Sequence, residues 1–335
     1  MSALPPDRLV RAILEALQES GAAGLQVPSA HVHPRQFVVS KPTGETHPLW
    51  VYAWTLTPGG RPQLKNEYRI QMTSVSPPLP LNPDGPTILI GYEPSLKMFA
   101  GFDLKRHRTF TKGSPSVQID ITAIHQALQD GLAFDRKDNN EIAVAIRPDQ
   151  LLTYAYTAER LHQYGRDTGT FTLLQKASSL APIKPVDLDA LAEPRQRIVQ
   201  TVRRMARDAN FRQQVLGAYS NRCAVTRLQL RLIDAAHILP VGAPGSIDHV
   251  CNGLALSPTF HRAFDSALIY LDDSYTMRVN PERETSLVTL NLDGGLEGFK
   301  AALGKVHLPP DRRQWPDLRL IKKANQFRRI PAKLI

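Results

Sequence analysis

The sequence predicts an α+β protein in which a β-rich mixed N-terminal domain precedes a C-terminal domain of different pattern. Between residues 36 and 102, short runs rich in aromatic and β-branched residues are bounded by Pro, Gly, Asn or Asp, as is typical of strands. Helices are predicted over 6–20, 119–131 and 147–162, where apolar residues recur at helical spacing. After residue 223 the order becomes strand, loop, strand and helix, so a second folded unit is expected there.

Length and composition are those of a two-domain protein. A chain of 335 residues with 42% hydrophobic and 21% charged residues can bury two ordinary cores. We expect an N-terminal recognition or sensor domain over 1–165. A C-terminal domain is expected over 194–335, and it includes a basic flanking helix over about 194–219 and a C-terminal extension. Residues 166–193 mix Ser, Pro and Asp with little periodicity, so they are predicted to form a linker.

The charge of the chain favours a polyanionic partner. The formal net charge is +10 at pH 7, which suits nucleic acid or an acidic membrane surface. Residues 194–231 contain nine arginines and one acidic residue, and residues 318–335 contain six cations and no acid. Both basic segments flank the strand–loop–strand–helix region, so a phosphate-binding surface is expected there.

Membrane insertion and a disulfide scaffold are not expected. The chain has no apolar stretch of about 18 residues, so no transmembrane helix and no membrane partner are predicted. Its N-terminal segment lacks the apolar core and cleavage site of a signal peptide. Two cysteines in a chain of this length give no disulfide framework, so a cytoplasmic location is expected.

The segment from 230 to 266 contains the polar residues that are most informative about function. "LRLIDAAHIL" is predicted to be a buried strand, a turn-rich loop follows, and "NGLALS" is a second short strand. Ser257 and Pro258 are typical of a helix start. On that helix His261 and Asp265 are four residues apart and share a face, where they could hold a divalent metal.

Four pieces of this region resemble one nuclease family. They are "CAVTR" at 223–227, "AAHILP" at 235–240, "NGLAL" at 252–256 and "HRAFD" at 261–265. In this order they resemble the HNH, or ββα-metal, endonucleases, and in particular their restriction-endonuclease-like branch. The resemblance extends over about residues 215–330. It implies a C-terminal HNH ββα-metal nuclease domain that hydrolyses DNA phosphodiester bonds.

The resemblance also implies roles for individual residues. His237 would be the general base, Asn252 would hold the loop that orients it, and His261 would bind the metal. Asp265 is a second candidate metal ligand because of its helical spacing from His261. Asp234 is a weaker candidate, since on a regular strand it faces the side opposite His237. Mg²⁺ or Mn²⁺ is the expected cofactor, with Zn²⁺ or Ni²⁺ as alternatives.

This chain departs from the family pattern in two places. Ala236 stands where some family members have an acidic or histidine metal ligand before the base. Thr226 stands where a CxxC partner of Cys223 would be, so no structural zinc knuckle is expected and Cys223 is interpreted as a core residue. Asp248 and His249 are interpreted as residues that shape the loop.

DNA is the predicted partner, expected to be double-stranded, with modified bases as one option. Restriction or phage defence is the predicted setting, and the N-terminal domain would then read the DNA. The alternatives are a non-specific nuclease that a ligand or partner activates, and a non-catalytic nucleic-acid-binding protein. A homodimer is also considered, because one HNH site acts on one strand at a time. Six basic residues are candidate phosphate contacts: Arg203, Arg204, Arg207, Arg222, Arg227 and Arg231.

Overall fold

The computed structural model describes residues 3–28, 32–40, 44–61, 63–111, 113 and 115–331. The chain divides into two compact units, which are Met1–Ala209 (unit 1) and Asn210–Ile335 (unit 2). The predicted α+β organisation, with a β-rich N-terminal part, is confirmed. Within the described residues, no helix is long and apolar enough to span a bilayer.

Unit 1 is built on two sheets and seven helices among its described residues. The strands are β1 (Ala23–Val27), β2 (Arg35–Ser40), β3 (Thr46–Thr55), β4 (Thr57–Pro58), β5 (Glu67–Gln71), β6 (Thr87–Glu93), β7 (Met98–Phe102), β8 (Ser116–Asp120), β9 (Leu132–Arg136) and β10 (Ile142–Ile146). The helices are α1 (Pro6–Glu19), α2 (Leu104–His107), α3 (Ile121–Asp130), α4 (Leu151–Tyr164), α5 (Thr168–Ser178), α6 (Pro185–Asp189) and α7 (Glu193–Ala218), of which α7 continues into unit 2. All three helices predicted for the N-terminal domain are present as α1, α3 and α4.

The large sheet of unit 1 supports a core on each face. Its seven strands have the order β1-β2-β3-β6-β7-β10-β9, and all neighbours are antiparallel except the parallel pair β3 and β6. Side chains alternate between the faces of a strand. Val51 and Ala53 therefore join the core that α1, α4 and α5 cover. Tyr52 and Trp54 point to the other face and pack with the three-stranded sheet β4-β5-β8 and with α3.

Residues 166–193, the predicted linker, contain two helices instead of an extended tether. Asp167 caps α5, because its carboxylate accepts a hydrogen bond from the Thr170 amide at 2.9 Å. Leu173 and Leu174 of α5 are buried in the core of unit 1. The Pro and Ser content of the segment hid this helical spacing. The structure also extends unit 1 to Ala209, beyond the predicted boundary at residue 165, since the first half of α7 packs into the same core.

Unit 2 consists of two short hairpins and a set of helices around one core. Its strands are β11 (Asp234–His237), β12 (Gly253–Leu256), β13 (Ile269–Leu271) and β14 (Met277–Val279), and its helices are α8 (Pro258–Asp265), α9 (Pro281–Thr289), α10 (Leu296–Ala301) and α11 (Leu318–Phe327). β11 and β12 are antiparallel, with Asp234 opposite Leu256 and His237 opposite Gly253. Leu254, Phe264 and Ile321 lie in the shared core, so β12, α8 and α11 pack together.

Candidate active site of unit 2

The predicted order of strand, loop, strand and helix is present in unit 2. His237 ends β11, Asn252 immediately precedes β12, and His261 lies in α8. The helix begins at Pro258 after Ser257, as predicted, although Ser257 makes no side-chain capping hydrogen bond. Each of the three motif residues is therefore held by a regular element or by its immediate end.

Asn252 is the brace of the loop between β11 and β12. Its side chain is fully buried, and its Oδ1 accepts a hydrogen bond from the Leu239 amide at 2.8 Å. Its Nδ2 donates to the carbonyl oxygens of Leu239 at 3.1 Å and Ile247 at 3.0 Å. The next residue, Gly253, lies against α7, where an added Cβ would be 2.2 Å from Val215 Cγ2. One carboxamide thus fixes both ends of the loop, and glycine is needed beside it because of this close approach.

The His237 ring is held on two sides. Its Nε2 lies 3.0 Å from Asp248 Oδ1, and its plane stacks on the Phe211 ring with centroids 3.7 Å apart and 11° between the planes. A carboxylate can only accept, so Nε2 carries the proton and Nδ1 keeps the lone pair. Asp248 was interpreted from the sequence only as a loop residue. Local sequence patterns do not indicate which residues meet across a loop, so the contact between His237 and Asp248 is seen only in the structure.

His261 lies between two carboxylates. Its Nδ1 is 3.6 Å from Asp234 Oδ2, and its Nε2 is 3.3 Å from Asp265 Oδ2. Asp234 first, and then Asp265, raise the pKa of His261 to about 9. The ring is therefore protonated at neutral pH when no metal is bound, and its surroundings attract a cation.

Asp234 is more firmly held than Asp265. Arg212 donates to the Asp234 carboxylate at 3.2 Å and to the Ile233 carbonyl at 3.1 Å. Burial alone would raise the pKa of Asp234, but His261 and Arg212 outweigh it and hold that pKa below its usual value. The Asp234 side chain is 27% exposed and that of Asp265 is 58% exposed. The weaker sequence candidate, Asp234, thus lies next to His261 as an ionised and half-buried group.

The donor set fits a cation that keeps most of its water. Among the described residues, no group of three His, Cys, Asp or Glu side chains is gathered as a metal site. Because Asp234 and Asp265 lie at opposite nitrogens of His261, a single ion bound to this ring can share it with only one of them. Two protein ligands leave room for the several waters that Mg²⁺ keeps, whereas zinc sites use three or four protein ligands.

Arg328 is a neighbour of the site that the sequence analysis missed. Its side chain is buried, it donates to the Ile238 carbonyl, and its Cζ lies 4.3 Å from the centroid of the Phe264 ring. Its Nη2 is 3.8 Å from Asp265 Oδ1. Burial lowers the pKa of Arg328 to about 10, which leaves it cationic at neutral pH. Arg328 therefore connects the C-terminal extension to both the end of β11 and α8.

The predicted DNA-contacting arginines have different surroundings. Arg203 is half-buried and donates to the Ala181 carbonyl at 2.7 Å, so part of its hydrogen-bonding capacity is used within unit 1. Arg227 is half-buried as well. The other four are exposed: Arg204, Arg207, Arg222 and Arg231. As phosphate contacts, all six remain predictions.

The fold and the site define a class of protein. A short antiparallel hairpin followed by a helix, with a histidine on the strand and another on the helix, is the ββα arrangement that the motif predicted. Residues 223–272 match the model of the family described as HNH endonuclease. The expected resemblance to this family is thus confirmed for this part of the chain, and the match supports a DNA-cleaving hydrolase of the HNH type.

Further comparisons concern the rest of the chain. Residues 47–155 match the model of the family described as Methylase-associated X1. Among solved structures, a chain described as "Modification dependent TagI restriction endonuclease" is similar, with 13% identity, a TM-score of 0.30, and coverage of 90% of this chain and 87% of that one. No protein of curated function matches the sequence.

Replacing Asn252 with alanine is expected to release the loop between β11 and β12. The change leaves the Leu239 amide and the Ile247 carbonyl without their side-chain partner, and it leaves Ser246 Oγ as the donor to the Leu239 carbonyl. Unit 2 should therefore lose about 3 kcal/mol of stability. Hydrogen exchange should accelerate at Leu239 well beyond the change in global stability. Asn325→Ala is the control, because this buried asparagine bonds the Leu271 carbonyl, outside the loop. Equal loop protection in both variants would show that Asn252 is no brace.

Proposed function

We propose that the protein is a divalent-metal-dependent DNA endonuclease of restriction or phage defence. The observation that carries this proposal is the way the His237 ring is held. Asp248 sets its tautomer, and stacking on Phe211 fixes the plane of the ring. A general base needs a free nitrogen in a defined direction, and Nδ1 of His237 meets that need.

In support of a cytoplasmic setting, Cys223 and Cys251 are both free thiols.

The chain's own residues account for proton transfer in phosphodiester hydrolysis. The oxygen of a water molecule attacks phosphorus, the bond from phosphorus to the 3′ oxygen breaks, and the leaving oxygen takes a proton from solvent. His237 Nδ1 takes the proton of the attacking water, and Asp248 stabilises the imidazolium that forms. His261 and Asp234 would hold the metal ion, which when bound supplies positive charge for the phosphate. Asp265 would orient His261 from its other nitrogen.

Cleavage should depend on His237 and, to a smaller degree, on Asp248. His237→Ala is expected to lower the cleavage rate by about 10²- to 10⁴-fold, while DNA affinity is unchanged. Asp248→Asn should cost about 10- to 100-fold, since the amide no longer selects the Nδ1 base form. His249→Ala is the matched control, because this neighbouring histidine contacts Cys251 instead of His237. Metal-dependent cutting by His237→Ala at the wild-type rate would refute the assignment.

Metal binding should distinguish the two carboxylates at His261. Titration calorimetry with Mn²⁺ is expected to show a loss of at least about 100-fold in affinity for Asp234→Asn, and of about 10-fold for Asp265→Asn. Asp293→Asn, an exposed carboxylate between α9 and α10, is the control and should bind Mn²⁺ like the wild type. The reverse ranking of Asp234 and Asp265 would assign the ion to α8 alone. Chelation with EDTA should stop cleavage of DNA.

Unit 1 is proposed to read the DNA, including modified bases. Its match to the Methylase-associated X1 family supports a link to DNA methylation. A polar cleft of about 670 Å³ lies in unit 1, and Asn66, Gln118, Asp120 and Asp135 are among its lining residues. Carboxamide and carboxylate groups of this kind hydrogen-bond to the edges of nucleobases. The cleft therefore supports a reader, and a sensor of a small ligand is the competing role.

A panel of otherwise identical duplexes separates these roles. We expect cutting to be restricted to one of the unmodified, cytosine-methylated or adenine-methylated duplexes, and Gln118→Ala should weaken that preference by about 10-fold. Gln129→Ala, on the exposed face of α3, should keep it. If the purified protein cuts no duplex but cleavage appears when cell extract is added, a nuclease that a ligand or partner activates would instead be favoured.

A homodimer is proposed for cleavage of both strands. Each chain has one HNH segment, residues 223–272, and one such site acts on one strand at a time. Two copies on one duplex would supply the second site without a second domain.

A further inference from the structure

The loop that leads into β11 exposes three leucines. The exposed fractions are 39% for Leu228, 70% for Leu230 and 49% for Leu232. Single apolar residues are ordinary on protein surfaces, but three exposed leucines within five residues of one loop are a local concentration of apolar surface. Their position in a catalytic unit calls for a partner that can cover them.

The tip of this loop has a conformation that leucine and arginine rarely adopt. The Leu232 amide donates to the Gln229 carbonyl at 3.0 Å, and the two residues between them, Leu230 and Arg231, have φ values of 43° and 53°. Positive φ at both central residues is the pattern of a type I′ turn, in which Asn and Gly are preferred. Each side chain in this region costs about 1–2 kcal/mol. The sequence retains the costly residues at the point of greatest exposure.

The base of the loop is rigid and belongs to the catalytic hairpin. The Cys223 amide donates to the Leu228 carbonyl at 2.8 Å, and Cys223 is fully buried. At the other end, Arg212 donates to the Ile233 carbonyl and pairs with Asp234, the proposed metal ligand. The exposed tip is therefore fixed to the strand that carries His237.

The charge around the loop indicates what covers the leucines. Residues 209–233 contain four arginines and no acidic residue. Arg222 and Arg231 are exposed beside the leucines. A cationic and apolar surface is complementary to a partner with anionic groups outside and an apolar interior, which describes stacked base pairs between phosphate backbones. The exposed Val288, Leu290 and Leu292 provide a contrast, since α9 and the residues after it carry Glu282, Glu284, Asp293 and Glu297.

We propose that Leu230 is a wedge that enters between the base pairs of the DNA substrate beside the cleavage site, while Arg231 binds the adjacent phosphate. This inference rests on the proposed DNA-cleaving function of the HNH site. Insertion partly unstacks one base step and bends the duplex around the hairpin. Pyrimidine–purine steps deform at the lowest cost, so the wedge favours cleavage near such steps irrespective of what unit 1 reads.

Leu230→Asn is the informative variant. Asparagine tolerates positive φ better than leucine does, so the variant should fold with an equal or higher melting temperature. It nevertheless removes the apolar wedge. Leu292→Ala, a leucine with 66% exposure next to acidic residues, is the matched control.

The probe is a 30-base-pair duplex with 2-aminopurine at every second position, so that every base step contains one probe and any binding register reports base unstacking. When the duplex is saturated with the His237→Ala protein in the presence of Mg²⁺, the 2-aminopurine fluorescence should rise at least about 2-fold. With Leu230→Asn added, this rise should be lost, whereas with Leu292→Ala it should remain. In the otherwise wild-type chain, Leu230→Asn should lower kcat/KM for DNA by about 10-fold. Arg231→Gln should decrease the slope of log affinity against log salt by about 1.

Several outcomes would overturn the wedge. Wild-type fluorescence and wild-type cleavage by Leu230→Asn would show that bases do not contact the loop. A change in self-association with no change in fluorescence would assign the leucines to a protein contact. Failure of the wild-type chain to cut any duplex, both alone and in cell extract, would refute the proposed function, whereas cutting that Leu230→Asn leaves unchanged would refute only the wedge.

Discussion

The site in unit 2 depends on one buried carboxamide. Asn252 satisfies the Leu239 backbone on both its donor and its acceptor side, and it bonds the Ile247 carbonyl as well. The pairing of β11 and β12 ends at His237 and Gly253, and these hydrogen bonds hold Leu239 and Ile247 beyond the last pair. Because the loop is closed, Asp248 comes back to the His237 ring. The direction of the proposed base is therefore a consequence of the hydrogen bonds that close the loop.

The charged side chains around His261 are arranged in pairs of opposite charge. His261 separates the carboxylates of Asp234 and Asp265, and each carboxylate also faces an arginine, Arg212 or Arg328. This arrangement keeps Asp234 ionised, while the raised pKa of His261 keeps the imidazole protonated when no cation is bound. In the proposed site a divalent ion would take the place of that proton, with His261 and Asp234 as its ligands.

Sequence pattern predicted the elements of the site better than its contacts. The order of β11, loop, β12 and α8 followed from local signals, because strand and helix starts depend on neighbouring residues. Asp248, Phe211 and Arg328 were not recognised as neighbours of the site, since each reaches it through a loop or from another helix. The predicted linker over 166–193 differs from the structure for another reason. Its Ser and Pro content suggested a loop, although residues Thr168–Ser178 form the helix α5.

The loop before β11 combines two adjacent non-glycine residues of positive φ with an exposed leucine. Leu230 and Arg231 occupy positions where Asn and Gly would be more stable, and Leu230 gains nothing from burial in exchange. Natural sequences tend to keep such conflicts where function requires them. The fixed ends at Cys223 and Arg212 allow the tip to keep its shape at this cost. A rigid, apolar and cationic projection from the catalytic strand is more useful for deforming a duplex than a flexible one, because its ordering is complete before DNA binds.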